Sequence, residues 1–344
     1  GNTSLFKAVT NALSSQMSVI QGPPGTGKTQ TILNIIANLL VREKTIQVVS
    51  NNNPAIQNIL EKLSSPKYDL GFLIATLGKR ENKEAFIHGQ TGAYPDMTAW
   101  QKTPLELLTL KERVEKLSRE VADCFGKQER LAVAKQEVDA LKVEAQYFNQ
   151  YCEDSGLQRP VKAPRKGLKS ETILHILQDC ENRSEQNLPL SFWHKLKSSV
   201  FYGVYEWKFQ KNDISMILTC LQSLFYRTRL TELSKEISSL QAVLAEVNVK
   251  EKMDQLTELS MEYLKAILYS CYGGRVSRPI FTMDAIWKTP LKILREYPVI
   301  LSTTFSSRSC LKDATYDYLI MDEASQVDLA TGALALASAK CAVI

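Results

Sequence analysis

The chain is poor in histidine and has no paired cysteines. Its three histidines, His88, His175 and His194, stand far apart, and none of its seven cysteines, at 124, 152, 180, 220, 271, 310 and 341, forms a C-x-x-C pair. This spacing argues against a zinc or iron–sulfur centre, and the odd count argues against a disulfide framework. Mostly inert thiols in a reducing, cytoplasmic setting are expected instead. No apolar run is long enough to cross a bilayer, and the opening Gly-Asn-Thr-Ser lacks the basic-then-apolar order of a secretory leader. No membrane partner is expected. A first residue Gly1 in place of Met points to a native chain that begins earlier. An excess of charge is also missing: 42 Lys and Arg stand against 37 Asp and Glu, a net +5. That balance permits an anionic partner such as nucleic acid, and equally an ordinary lysine-bearing surface.

At 344 residues, with 44% hydrophobic and 23% charged side chains, the chain can bury more than one small core. Its first hundred residues alternate strand and helix patterns. Ser18 to Gln21 reads as a short strand and Thr29 to Leu40 as a helix with Ile32, Ile35, Ile36, Leu39 and Leu40 on one face. Ile46 to Ser50 is a β-branched strand, Pro54 to Leu63 a helix with proline in its first turn, and Phe72 to Ala75 a third strand. This grammar belongs to a mostly parallel α/β sheet covered on both faces.

The alternation then stops. Pro104 to Gln150 carries Leu110, Val114, Leu117, Val121, Cys124, Leu131, Val138 and Ala145 at alternating steps of three and four, the stripe of a long amphipathic helix in a coiled coil. Gln128 and Lys135 interrupt the seam, and Gly126 marks a bend. A polar stretch with Arg159, Lys162, Arg165, Lys166 and Lys169 follows, either a phosphate-contacting or a solvated turn. Ile214 to Tyr269 is helical again, so two antiparallel arms with a helical cap around Leu188 to Phe209 are expected. Strands return at Pro298–Ser302 and Tyr318–Met321, then a helix over Val327–Lys340 and a strand beginning at Ala342. The expected division is a core of 1–100 and 275–344, with 101–274 as a helical, coiled-coil insertion.

Two motifs carry chemistry. Gly22-Pro23-Pro24-Gly25-Thr26-Gly27-Lys28-Thr29 satisfies G-x-x-x-x-G-K-S/T, a P-loop whose backbone N–H groups and following helix face phosphate oxygens. Lys28 reaches the β- and γ-phosphates and Thr29 ligates magnesium, which predicts ATP with Mg2+ as the ligand. At ~7% glycine, chance supplies this pattern in about one such chain in a hundred. The second motif is Asp322-Glu323, delivered by an apolar strand to the sheet edge where open α/β folds bind ligands. Asp322 is the magnesium carboxylate and Glu323 the group that orients or deprotonates the attacking water. An acidic pair after a strand can also be a simple helix cap; the P-loop favours the functional reading.

GPPGTGKT at 22–29, VVSNNN at 48–53, LSTTFSS at 301–307 and MDEASQ at 321–326 together resemble superfamily 1 helicases. The likeness is greatest to the Upf1-like and Dna2-like branch, especially bacterial members with a coiled-coil insertion. The resemblance implies a RecA-like P-loop NTPase domain, the N-terminal one of two. Gln326 would couple the γ-phosphate to the second domain, and Ser50, Asn51, Asn52, Thr303 and Thr304 would contact single-stranded nucleic acid. DNA is favoured over RNA, with movement 5′ to 3′. Read by themselves, these are short polar residues at strand ends that can donate to phosphates or cap turns.

Two departures bear on this resemblance. Leu5 stands where the family's adenine-recognising glutamine would fall, and leucine cannot hydrogen-bond a base edge. The glycine–aspartate motif and the second RecA-like domain with its arginine fingers are expected beyond Ile344, so this chain should bind ATP without unwinding alone. The helical arms could guide duplex or recruit a protein partner. The competing class is a nucleotide-controlled coiled-coil scaffold, or a nucleic-acid-binding ATPase that does not unwind. The LSGGQ signature of ABC-type long-arm ATPases is absent from the sequence.

Overall fold

The computed structural model describes residues 2–22, 25–156, 169–185 and 214–344. Pro23, Pro24, the expected cap around Leu188 to Phe209, and Arg159, Lys162, Arg165 and Lys166 lie outside the described residues. The chain forms two compact units, Gly1–Glu120 with Glu251–Ile344, and Val121–Lys250.

The first unit opens with α1 (Asn2–Ser14), β1 (Met17–Ser18), α2 (Lys28–Val41), β2 (Ile46–Ser50), α3 (Asn53–Ser64), β3 (Ile74–Thr76) and α4 (Arg80–His88). The chain then runs through α5 (Pro104–Asp154), α6 (Ser170–Glu185), α7 (Ile214–Ala245) and α8 (Val249–Tyr272). It returns to the sheet with α9 (Met283–Lys288), α10 (Pro290–Glu296), β4 (Val299–Thr303), β5 (Tyr316–Asp322), α11 (Leu329–Leu336) and β6 (Ala339–Val343). The six strands lie in the order β1-β6-β5-β2-β4-β3, and every neighbouring pair is parallel. This is a RecA-like parallel sheet split by a helical arm.

All five residues of β2 are buried, as a strand covered on both faces requires. The α2 stripe Ile32, Ile35, Ile36, Leu39 and Leu40 packs in one cluster with Ile46, Val48, Leu301 and Ile320. Each such side chain contributes roughly 1.5–3 kcal/mol by leaving water. Residues Leu264, Leu268 and Tyr272 of α8 join the same cluster.

Several boundaries differ from the sequence reading. The first strand is only Met17–Ser18, although pairing continues where the Ile20 N–H donates to the Ile344 carbonyl at 2.7 Å. A 3-10 turn, Gly71–Leu73, takes the start of the expected third strand. The helix expected over Val327–Lys340 stops at Leu336, and Ala339 onward is strand. Ser338 makes that turn: its buried hydroxyl shares its one proton between Gln47 Oε1 at 2.8 Å and the Ala335 carbonyl at 2.6 Å.

In the second unit, α5 and α7 run antiparallel. Arg130 bonds Glu236 through both Nε (2.5 Å) and Nη2 (2.8 Å), and one heptad along, Arg229 Nε bonds Glu137 at 2.7 Å. Between these pairs lie Ala134 and Leu233, buried in one cluster with Val138 and Leu141 just beyond. The seam thus runs through Ala134 and leaves Lys135 exposed, and α5 continues through Gly126 without a break. Helix α6 packs Ile173, Ile176, Leu177 and Cys180 against Leu221 and Leu224 of α7. Among the described residues no helix is long and apolar enough to cross a membrane.

Candidate nucleotide site and the adjoining sheet edge

The loop after β1 turns into α2 through Gly27, whose φ of 88° lies in the left-handed region. A side chain there would be strained, and its Cβ would meet a Leu5 methyl at 3.4 Å. Leu5 of α1 therefore packs beside Gly27. Gly22 is confined differently: a Cβ would stand 2.7 Å from Thr26 Oγ1. Gly27 offers α2 no side-chain cap, so the first-turn N–H groups point out of the helix as anion donors.

Asp322 and Glu323 emerge from β5 into the same place. A cleft of about 300 Å3 is lined by Gly22 and Lys28 from the loop, Asp322 and Glu323 from the strand end, and an apolar floor that includes Ile35 and Val343. Strand β6 lies between the strand leading the loop and the strand bearing the acids. Glu323 itself has φ 53°, unusual for a residue with a side chain, while its N–H donates to Asp322 Oδ1 at 3.0 Å. Such a backbone costs on the order of 1–3 kcal/mol and is kept where its surroundings enforce it. Thr29 is half-buried in the first turn of α2.

The described residues include no group of three or more His, Cys, Asp or Glu able to hold a metal. Asp322 lines the cleft and Thr29 does not; a hydroxyl and a carboxylate are oxygen donors of the kind a magnesium ion takes when it keeps waters and phosphate oxygens. The chemistry of these two donors is compatible with Mg2+ carried by a triphosphate.

Beside the cleft, the ends of three neighbouring strands are level: Ser50 of β2 pairs with Asp322 of β5 on one side and Thr303 of β4 on the other. The loops that follow are linked. Asn51 Nδ2 donates to the Gln326 carbonyl at 2.7 Å, and the Gln326 N–H donates to the Glu323 carbonyl at 2.9 Å. Asn51 and Asn52 are exposed and Thr303 half-buried. Ser50 and Thr304, expected at the same surface, are 0% and 1% exposed, because each sits at the covered base of its loop. Their hydroxyls face protein. Ser50 Oγ accepts the Asn52 N–H at 3.3 Å, whereas Thr304 Oγ1 finds no partner among the described residues. Thr304→Val is accordingly expected to raise stability by up to about 1 kcal/mol, read as a higher urea midpoint at unchanged m-value.

Sequence reasoning missed Gln47, a polar residue between the apolar Ile46 and Val48 of β2. It is fully buried, and its Nε2 donates to the Ser307 carbonyl at 2.8 Å, fixing the turn after β4. That lone glutamine was the available signal.

Sheet, phosphate loop and acidic strand end define a P-loop NTPase core. The chain matches the AAA domain family over residues 1–342 and belongs to it; it is an AAA/RecA ATPase domain of the superfamily 1 type. Over 65 residues it is 46% identical to the DNA polymerase alpha-associated DNA helicase A of Schizosaccharomyces pombe, covering 19% of this chain and 10% of that protein. Over 89 residues it is 35% identical to a putative ATP-dependent RNA helicase of Saccharomyces cerevisiae, 25% of this chain and 8% of that protein. Regulator of nonsense transcripts 1 of Caenorhabditis elegans is 40% identical over 63 residues, 18% of this chain and 6% of its own length. The matched segments span a tenth or less of these relatives.

Proposed function

We propose that the chain is the ATP-binding RecA-like domain of a helicase or translocase of the Upf1-like and Dna2-like branch, acting on single-stranded nucleic acid. The observation that carries this reading is the link from cleft to loop: Glu323 to Gln326 to Asn51, at strand ends where Ser50 is level with both Asp322 and Thr303. A change at the γ-phosphate can thereby reach polar groups suited to a nucleic-acid backbone. Lys28 and the P-loop bind the triphosphate, Thr29 and Asp322 hold magnesium, and Glu323 takes the proton of the attacking water. Gln326 senses the γ-phosphate. Magnesium, when bound, would supply charge neutralisation at the phosphates. Asn51, Asn52 and Thr303 face the strand, with Ser50 and Thr304 supporting them from beneath. The domain core is 1–100 with 275–344, and the arms of 101–274 guide the substrate or hold a protein partner.

The relatives' names include both a DNA and an RNA helicase; we favour DNA and 5′ to 3′ movement, in the cytoplasm. The deciding experiment measures ATP hydrolysis by the complete protein with and without single-stranded DNA or RNA. Stimulation of at least several-fold is expected, with this chain alone binding ATP but turning it over slowly for want of a second domain's charge stabilisation. Hydrolysis indifferent to either strand would instead favour a nucleotide-controlled scaffold built on the α5–α7 pair.

A further inference from the structure

The turn after β4 is held from every side. The Ser307 carbonyl accepts from Gln47 Nε2 (2.8 Å) and the Ser309 carbonyl from Lys83 Nζ (2.6 Å). Thr303 Oγ1 bonds Ser306 Oγ at 3.1 Å, and Arg308 Nη1 reaches the Ala337 carbonyl at 3.2 Å. Thr304 and Ser307 are buried within the turn. Between them Phe305 is 85% exposed. Isolated surface hydrophobics are ordinary, but this ring projects from a turn whose backbone is held by the bonds to Gln47, Lys83 and Arg308. Its turn follows Thr303, which is level with Ser50, the residue just before the exposed Asn51 and Asn52.

We propose that Phe305 is a stacking platform for a nucleobase of the strand whose backbone passes Asn51 and Asn52. The proposal rests on the single-strand reading above and adds a specific contact to it. Polar strand-end residues address phosphate and sugar only, so they do not distinguish a strand with bases from one without. An aromatic face does, and it accepts every base because each has a π-face. A pre-fixed ring binds without the cost of ordering it.

The test compares the complete protein with its Phe305→Ala and Phe305→Trp variants by fluorescence anisotropy. The probes are oligothymidylate and an abasic strand of the same length. Phe305→Ala is expected to weaken binding to oligothymidylate by about 5- to 150-fold, to leave abasic binding unchanged, and to keep the salt slope, since no phosphate contact is lost. Phe305→Trp should retain wild-type affinity. Equal affinities of wild type and Phe305→Ala for oligothymidylate, or an equal loss on both probes, overturn the stacking role while leaving the single-strand reading standing. A wild-type protein that binds neither probe overturns both.

Discussion

Glu323→Gln, in the complete protein, is expected to lower ATP turnover by about 10²- to 10⁴-fold while ATP still binds. Glutamine keeps the size of the side chain and one carbonyl acceptor but cannot take a proton. Glu323 shares its cleft with Lys28, Gly22 and Asp322, so a substitution that removes only basicity leaves the phosphate-binding loop in place. Lys28→Ala should behave oppositely. It removes the cation proposed to meet the phosphates and should weaken ATP itself, by about 10²-fold or more on the scale of lost charge-assisted contacts. Isothermal titration with a non-hydrolysable analogue and magnesium, paired with steady-state hydrolysis, separates the two. A Glu323→Gln protein with normal turnover would remove Glu323 from the chemistry. A Glu323→Gln protein that no longer binds nucleotide would show instead that its left-handed backbone makes this residue structural.

How much of this was legible in the sequence depends on how local each determinant is. Strand β2 and helix α2 were readable because burial on both faces and a helical stripe leave their periods in the residues themselves. The P-loop was readable for the same reason: its glycines are needed by its own backbone. Leu334 to Ile344 was not, because an alanine-rich apolar run suits helix and strand alike; the break at Ser338 is set by Gln47, which lies far away in sequence. The heptad phase through Ala134 likewise depends on what α7 presents at Leu233. At the site, residue types announced Lys28, Asp322 and Glu323. The burial of Ser50 and Thr304, the Asn51–Gln326 bond and the exposure of Phe305 arise only when separate strands are brought level.

Arg278→Met is expected to cost about 3–5 kcal/mol of stability, the range for removing one partner of a buried ion pair. Arg278 and Glu296 are 8% and 5% exposed. The guanidinium Nη2 donates to the carbonyls of Phe72 (2.8 Å) and Glu296 (2.6 Å), and its carbon lies 3.9 Å from the centre of the Tyr297 ring. Glu296 also accepts from Arg275 Nη1 at 2.9 Å and from the Tyr94 hydroxyl at 2.6 Å. Burial, and then the bond to Glu296, push the Tyr94 phenol above the ordinary tyrosine range. Tyr94 lies just before α5 and Arg275 just after α8, so this cluster fastens the points where the chain leaves and rejoins the sheet. Against a total of 5–15 kcal/mol for a typical domain, its loss is large. Arg275→Ala, at a half-exposed position, should cost at most about 1 kcal/mol. The cluster stands at the amino ends of β3 and β4, whereas the cleft and its loops are at carboxyl ends. A folded Arg278→Met protein should therefore bind nucleotide with unchanged affinity while its urea midpoint falls. Replacing Glu296 by leucine in the same protein should recover part of the loss, because the buried carboxylate, left with only Arg275 and Tyr94, is then gone. No recovery would mean that the two carbonyls and the Tyr297 ring, not the ion pair, are what Arg278 holds.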